Sequence, residues 1–224
     1  MEIIQSKKIM VLISKILFFF SHHGFYATII FFLFFGIISA ITKKLFWLIF
    51  IIPLSIANAF AGQFLNAWFL NKYGTESIAI ITSDTETNST LNDAPIHDYK
   101  AIVQKQDNRF VETFFSTMSA SIYPITNEIR IPSVNEKFPV KYIPGYEKNI
   151  VILYNQTREG IARLRYEKLA PVNEAKIKYE AEPTNTEFLE EYISAMENYT
   201  KVYPDAEKTV KIFELKKELQ DLKK

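Results

Sequence analysis

Two uncharged runs, residues 16–41 and 45–70, follow one another with only Thr42-Lys43-Lys44 between them. Each exceeds the roughly 20 residues that a helix needs to cross the hydrocarbon core of a bilayer. Their densest stretches, 29–35 and 46–52, favour insertion by about 0.3 to 0.6 kcal/mol for each Leu, Ile, Phe or Val. Three residues permit nothing but a tight turn, so a transmembrane hairpin of antiparallel neighbours is expected over 16–72. As helices of a water-soluble core the two runs would have to be buried on every side, at lengths far above those of ordinary core helices.

Small residues mark where such helices would touch. They are Gly36 and Ala40 in the first run, and Ser55, Ala59, Gly62 and Asn66 on one stripe of the second; small side chains let backbones approach, which is how helices gain packing energy in lipid. Pro53 is expected to bend the second helix, and the amides of Asn58, Gln63 and Asn66 to face protein rather than acyl chains. No Asp, Glu, Lys or Arg falls inside either run, which speaks against a pump or an ion-coupled transporter. Residues 1–15, with Lys7, Lys8 and Lys15 among apolar neighbours, read as an amphipathic helix on the membrane surface. Ser21-His22-His23-Gly24 offers no small-x-small cleavage site of a signal peptide. Lys7, Lys8, Lys15 and Lys72 at one membrane face outnumber Lys43 and Lys44 at the other, but the latter pair sits tightly against both spans; the charge pattern leaves the orientation open.

The mean hydropathy of zero averages two unlike parts. Beyond Leu70 the chain carries 21 Lys/Arg and 24 Asp/Glu, a composition for water, and with 26 basic against 25 acidic residues overall no nucleic-acid partner is expected. Without cysteine there is no disulfide, thiol nucleophile or cysteine-bound metal. The six glycines form no phosphate loop, and no G-x-S-x-G or H-E-x-x-H occurs. No cofactor and no metal are expected. His22 and His23 are adjacent and diverge on a helix, so they do not chelate one ion; they read as an interfacial polar collar. His97 stands near Asp93 and Asp98 in a polar stretch, with little to mark it as a ligand or an acid–base group.

From residue 73 to 154 the alternation of β-branched and aromatic residues predicts strands near 77–82, 99–104, 109–115, 137–143 and 150–154. Gln106-Asp107-Asn108 is a hairpin turn. Phe110, Phe114, Phe138, Val140 and Tyr142 are expected inside a small antiparallel barrel or sandwich. Residues 83–98 read as a long polar loop, and 118–136 as irregular with one edge strand around 128–131. Pro144-Gly145 makes a turn that folds the 138 strand onto the 150 strand.

The stretch Phe138-Pro139-Val140-Lys141-Tyr142-Ile143-Pro144-Gly145, with the strand to Ile152 and Tyr-x-Ala-x-Val at Tyr99, Ala101 and Val103, resembles a family of uncharacterised bacterial membrane proteins. Those combine transmembrane helices with a small β domain whose last hairpin reads V-x-Y-x-P-x-x-P. Here Glu147-Lys148 stands where the second proline is expected. The resemblance covers about residues 74–153 and implies an anchored β module of no known reaction, placed outside the cytoplasm. On the residues themselves, Val140, Tyr142, Pro144 and Gly145 read as a hairpin clamp.

Residues 155–224 read as a helical tail. A helix from Thr157 to Leu169 is followed by an ambiguous stretch at 176–182. A capping box at Thr184-Asn185-Thr186-Glu187 then opens a helix with Phe188, Tyr192, Met196 and Tyr199 on one face. Tyr203-Pro204-Asp205 breaks it, and 206–222 restarts with Ile212, Leu215, Leu219 and Leu222 in helical register. This C-terminal helical hairpin packs on the β domain or self-associates through its last helix. The fold class expected is therefore an α+β membrane protein. Its expected role is non-enzymatic: a protein-binding or scaffold module of the bacterial inner membrane, with the bilayer and an envelope protein as partners. The alternatives are an immunity protein that neutralises a toxin at the membrane, and an enzyme with an unrecognised site.

Overall fold

The structure is a computed structural model that describes residues 2–224. Its first helix, α1 (Glu2–His22), is parted from α2 (Gly24–Thr42) at His23, which leaves helical geometry with φ −129° and ψ 58°. In a straight helix residues eleven apart are separated by about 16 Å. The rings of Phe20 and Phe31 lie 5.6 Å apart, so the chain bends at His23. A helix end leaves carbonyls without intrahelical donors, and Asn58 Nδ2 fills that need by donating to the Phe20 carbonyl at 2.9 Å. Residue 15 is not a helix end: α1 runs on to His22, and its Ser14 and Phe18 are buried against the rest of the fold.

After α2, Lys43 adopts a left-handed conformation (φ 53°) and Ser39 Oγ donates to the Lys44 carbonyl at 3.0 Å, closing the tight turn. A 3₁₀ turn (Leu45–Phe50) leads into α3 (Ile51–Tyr73), and Phe50 stacks on Phe35 at 5.8 Å. Pro53 falls in the first turn of α3, just after the 3₁₀ turn, where its missing N–H breaks no hydrogen bond within α3. Two helices, Gly24–Thr42 and Leu45–Tyr73, are long and apolar enough to cross a membrane. Their apolar side chains are not covered by the fold: Ile41, Leu45 and Ile52 are 77%, 79% and 70% exposed.

Beyond Tyr73 come β1 (Thr75–Leu91), β2 (Ala94–Gln104), β3 (Phe110–Ser116), β4 (Ile122–Tyr123), β5 (Lys137–Ile143) and β6 (Tyr146–Leu153). They form one open mixed sheet in the order β3-β2-β1-β5-β6-β4, antiparallel except for the β4–β6 pair. The expected barrel or sandwich is corrected by this order. The sheet curls until Thr113 Oγ1 of β3 donates to the Lys148 carbonyl of β6 at 2.5 Å, but no β3–β6 ladder closes it. The five expected strand regions are present, and Asn108 takes positive φ (63°) in the expected turn. The expected polar loop at 83–98 is instead the outer half of the β1–β2 hairpin, which turns at Asn92 and Asp93 with φ 50° and 63°. No strand forms at 128–131; the short β4 takes the sheet edge.

Inside the curl lie Ala79, Ile81, Ala101, Val103, Phe115, Phe138, Val140, Tyr142 and Ile152. Phe110 and Phe114, expected inside, are 50% and 53% exposed. Strand alternation instead turns Val111, Thr113 and Phe115 inward, the opposite phase of the same strand. β6 is buried on both faces. Ile150 and Ile152 look into the curl, while Val151 and Leu153, with Ile143, meet Ala67, Phe69 and Leu70 of α3 and the side of α1 carrying Met10, Val11, Ile13 and Leu17.

The chain divides into two compact units, one ending at Arg158 and the other spanning Glu159–Lys224. All but the first residue of α4 (Arg158–Ala181), with α5 (Thr186–Val202) and α6 (Ala206–Leu222), make up the second unit; the expected hairpin of the last two helices is present as α5–α6, and α4 packs with it. The helix expected to end at Leu169 continues through Pro171. Asn185, not Thr184, caps α5, its side chain accepting from the N–H groups of Glu187 and Phe188. Val172, Ala175, Leu189, Tyr192, Met196, Tyr199, Ile212 and Leu215 make the core. Tyr179 Oη donates to Glu218 at 2.8 Å and Arg165 Nε to Tyr199 Oη at 3.0 Å, tying α4 to both partners.

Gly74 joins α3 to β1 where a Cβ would lie 2.4 Å from the Leu70 carbonyl oxygen and 2.9 Å from Lys141 Cβ. Gly74→Ala is therefore expected to destabilise the first unit by about 1–3 kcal/mol. Gly36→Ala, with nothing within 4 Å, is expected to be neutral or stabilising. Denaturant midpoints of the two variants in detergent check the contrast.

Candidate functional site

The residues singled out for helix packing separate into two groups. Nothing lies within 4 Å of a Cβ built on Gly36, and Ala40 is exposed. The face that α2 turns to the protein carries Ala27, Phe35 and Ser39, so the Gly36–Ala40 expectation is corrected: these residues sit about 100° or more round the helix from Phe35. On α3 the stripe is used, but in part by a different partner. A Cβ on Gly62 would stand 3.7 Å from Ser21 Cα of α1, so the close backbone approach is to α1. Ser55 is half-buried with its hydroxyl on the Ile51 carbonyl, Ala59 is exposed, and Asn66 is fully buried.

Asn66 is where the helices are fastened to the sheet. Its Nδ2 donates to Asn149 Oδ1 at 2.7 Å and to Ser121 Oγ at 2.8 Å. Asn149 Nδ2 donates back to Asn66 Oδ1 at 2.8 Å, and to the carbonyl and hydroxyl of Ser14, each at 3.0 Å. Ser121 Oγ in turn donates to the Gln63 carbonyl at 3.3 Å. Asn66, Asn149, Ser14 and Ser121 are all buried, and the reciprocal amide pair draws α1, α3, β6 and the segment before β4 to one point. Asn149 carries no sequence signal of this role; its partner Asn66 was visible as an amide on an apolar helix.

The hairpin motif is also a fastening. Val140 and Tyr142 are core residues of β5. Gly145 has φ 101°, a conformation open to glycine, and its N–H donates to Glu147 Oε1 at 3.0 Å. Val11 Cγ2 of α1 lies 3.2 Å from where a Gly145 Cβ would be, so α1 rests on the Pro144-Gly145 turn.

Two histidines have defined surroundings. His97 Nδ1 lies 2.6 Å from Asp84 Oδ1 across the β1–β2 hairpin, rather than beside Asp93 or Asp98. Its ring stacks on Tyr99, above a groove lined by Leu91, Ile129, Arg130 and Tyr154. The arrangement orients an imidazole, but the neighbouring Thr117 hydroxyl is engaged with the His97 backbone. His22 closes α1, stacked on Phe18 at 3.9 Å and edge-on to Phe114 at 5.9 Å. Burial holds its imidazole down at about 4; the Phe18 carbonyl opposes this shift and the neighbouring His23 adds to it. Among the described residues no three His, Asp or Glu side chains converge as metal ligands. Comparison with protein families, with curated proteins and with solved structures finds no match to this chain.

Because the fold favours neutral His22, the unfolded chain binds more protons between pH 6.5 and about 4. Stability is expected to be complete above that window and to fall on acidification through it, by up to about 1.4 kcal/mol per pH unit. His22→Phe should flatten this part of the profile. Denaturant midpoints of both proteins at several pH values in the window provide the check.

Proposed function

We propose that this chain is an integral protein of the bacterial inner membrane, whose α2–α3 hairpin holds a β module at the bilayer for non-enzymatic binding of another protein. One observation carries the reading. The apolar surface of α2 and of the first half of α3 is left uncovered, while the last turns of α3 enter the core of the β module. A helix of this kind suits two solvents in sequence, lipid and then protein. Anchor and module form one compact unit, so the membrane fixes the position of the β1–β2 arm.

The arm supports the immunity reading as a second possibility of the same class. Over residues 83–99 it carries Asp84, Glu86, Asp93 and Asp98 and no Lys or Arg, which suits a basic partner steered by opposite charge. In the scaffold reading the same arm meets an envelope component.

The absence of cysteine makes the topology directly testable. Single cysteines introduced as Asn92→Cys at the arm turn and Thr42→Cys beside the helical turn are expected to react with a membrane-impermeant maleimide from opposite sides of the membrane. Labelling of both from one side contradicts the hairpin. In the same membranes a photo-crosslinking residue at Asn88 is expected to trap a discrete protein partner, and purely intramolecular products contradict the binding role.

A further inference from the structure

α1 is not one of the two candidate spans, yet the face it turns away from the protein is apolar. Ile9, Leu12 and Ile16 are 49%, 57% and 46% exposed, whereas Ser14 and Phe18 on the other side are buried. At about 100° per residue the three apolar side chains fall within about 60° of one another, and Lys8 and Lys15 line one flank within about 20° of each other. An apolar stripe with lysines along its edge is the pattern of a helix at a lipid–water boundary.

The position of the stripe agrees with that pattern. Asn149 holds Ser14 and Asn66 together, so the middle of α1 is level with Asn66 in α3. Beside it on α3 stand the exposed side chains of Leu65 and Trp68. The six 3₁₀ residues and twenty-three α-helical residues of Leu45–Tyr73 together reach about 46 Å. A bilayer has about 30 Å of hydrocarbon and about 40–45 Å with its headgroup regions. The last turns of α3, and the α1 stripe next to them, therefore fall at headgroup depth when α3 stands across the membrane. On the helices themselves the charge there has one sign, while on the neighbouring sheet Glu76 is paired with Lys141 and Glu147 accepts from the Gly145 N–H. Between Glu2 and Glu76 the chain has no acidic residue, while Lys8 and Lys15 on α1 and Lys72 on α3 share this end of the helices. Lys72 Nζ lies 5.1 Å from the Trp68 ring, and Lys15 Nζ lies 5.6 Å from the Tyr146 ring.

We propose that α1 is a third membrane-contacting element: Ile9, Leu12 and Ile16 enter the interface of the bilayer that α2 and α3 span, and Lys8, Lys15 and Lys72 bind its anionic phospholipid headgroups. The inference rests on the membrane reading above and adds to it a lipid preference. It makes α1 a wedge between bilayer and β module, fixed on one side by the buried amides and on the other by phosphate.

Full-length protein bearing a polarity-sensitive fluorophore on Leu12→Cys, reconstituted in vesicles of phosphatidylcholine alone or mixed with phosphatidylglycerol, tests this. Leu33→Cys in α2 reports the span. The probe at position 12 is expected to be quenched by lipids with a nitroxide near the headgroup, severalfold more in the vesicles containing phosphatidylglycerol. Lys8→Gln with Lys15→Gln is expected to remove that difference. Equal quenching in both vesicles overturns the proposal, as does a probe shielded from water but untouched by nitroxide lipid, which reports a protein neighbour. A probe at position 12 left in water while position 33 is quenched overturns the proposal and leaves the span standing. Loss of quenching at both positions overturns the membrane reading as well.

Discussion

The reciprocal pair of amides formed by Asn66 and Asn149 is the constraint on which the first unit depends. Each Nδ2 has two hydrogens to place, and each is placed: on the other amide, and on Ser121 or Ser14. Side chains this deeply buried are tolerated because their partners replace water; a buried polar group left without one costs about 1–3 kcal/mol. The pair fixes the register of α3 on β6, the bonds of Asn149 to Ser14 add α1 to it, and the apolar contacts around it make the same demand. Leu70 and Ala67 reach Val151 and Leu153 only when Asn66 reaches Asn149.

The consequence is a helix whose two halves meet different surroundings in the fold. The first half of α3 presents Ile52, Ile56 and Phe60 outward, more than half exposed, and the second half buries Asn66, Ala67, Phe69 and Leu70. Between its amides the helix is apolar along both halves, but for two reasons: its uncovered beginning suits the bilayer proposed above and its end suits the outer face of a sheet. Gly74 then allows β1 to start against β5 without an intervening loop. α1 shares the arrangement, since it covers β6 and the Pro144-Gly145 turn with one face and leaves Ile9, Leu12 and Ile16 on the other.

Much of this was legible in the residues. The two uncharged runs locate the long helices, and the five strand regions follow from alternation. What escaped depended on tertiary context. The bend at His23 has no glycine or proline of its own to announce it in the sequence; Gly24 follows it, and Asn58, thirty-five residues away, supplies the missing donor. The outer half of the β1–β2 hairpin looked like a loop because it is polar on both faces, although Thr82, Thr85, Thr87 and Thr90 are β-branched and suit an exposed ribbon. The inward phase of β3 is not legible from side-chain size, because Phe110 and Phe114 are larger than Val111 and Thr113, whereas the curl of the sheet brings Thr113 to Lys148. The small-residue stripe on α3 was visible, but not that α1 would use it.

The central claim is that anchor and module fold as one body through the amide pair, and a double-mutant cycle tests it most directly. Asn66→Ala, Asn149→Ala and the double variant of the full chain are compared by denaturant unfolding in detergent. The account requires each single variant to lose stability and the double variant to lose clearly less than their sum, with a coupling of about 0.5–3 kcal/mol. Strict additivity, with both single variants close to the parent, would show that helices and sheet are not joined at this point and would contradict the account.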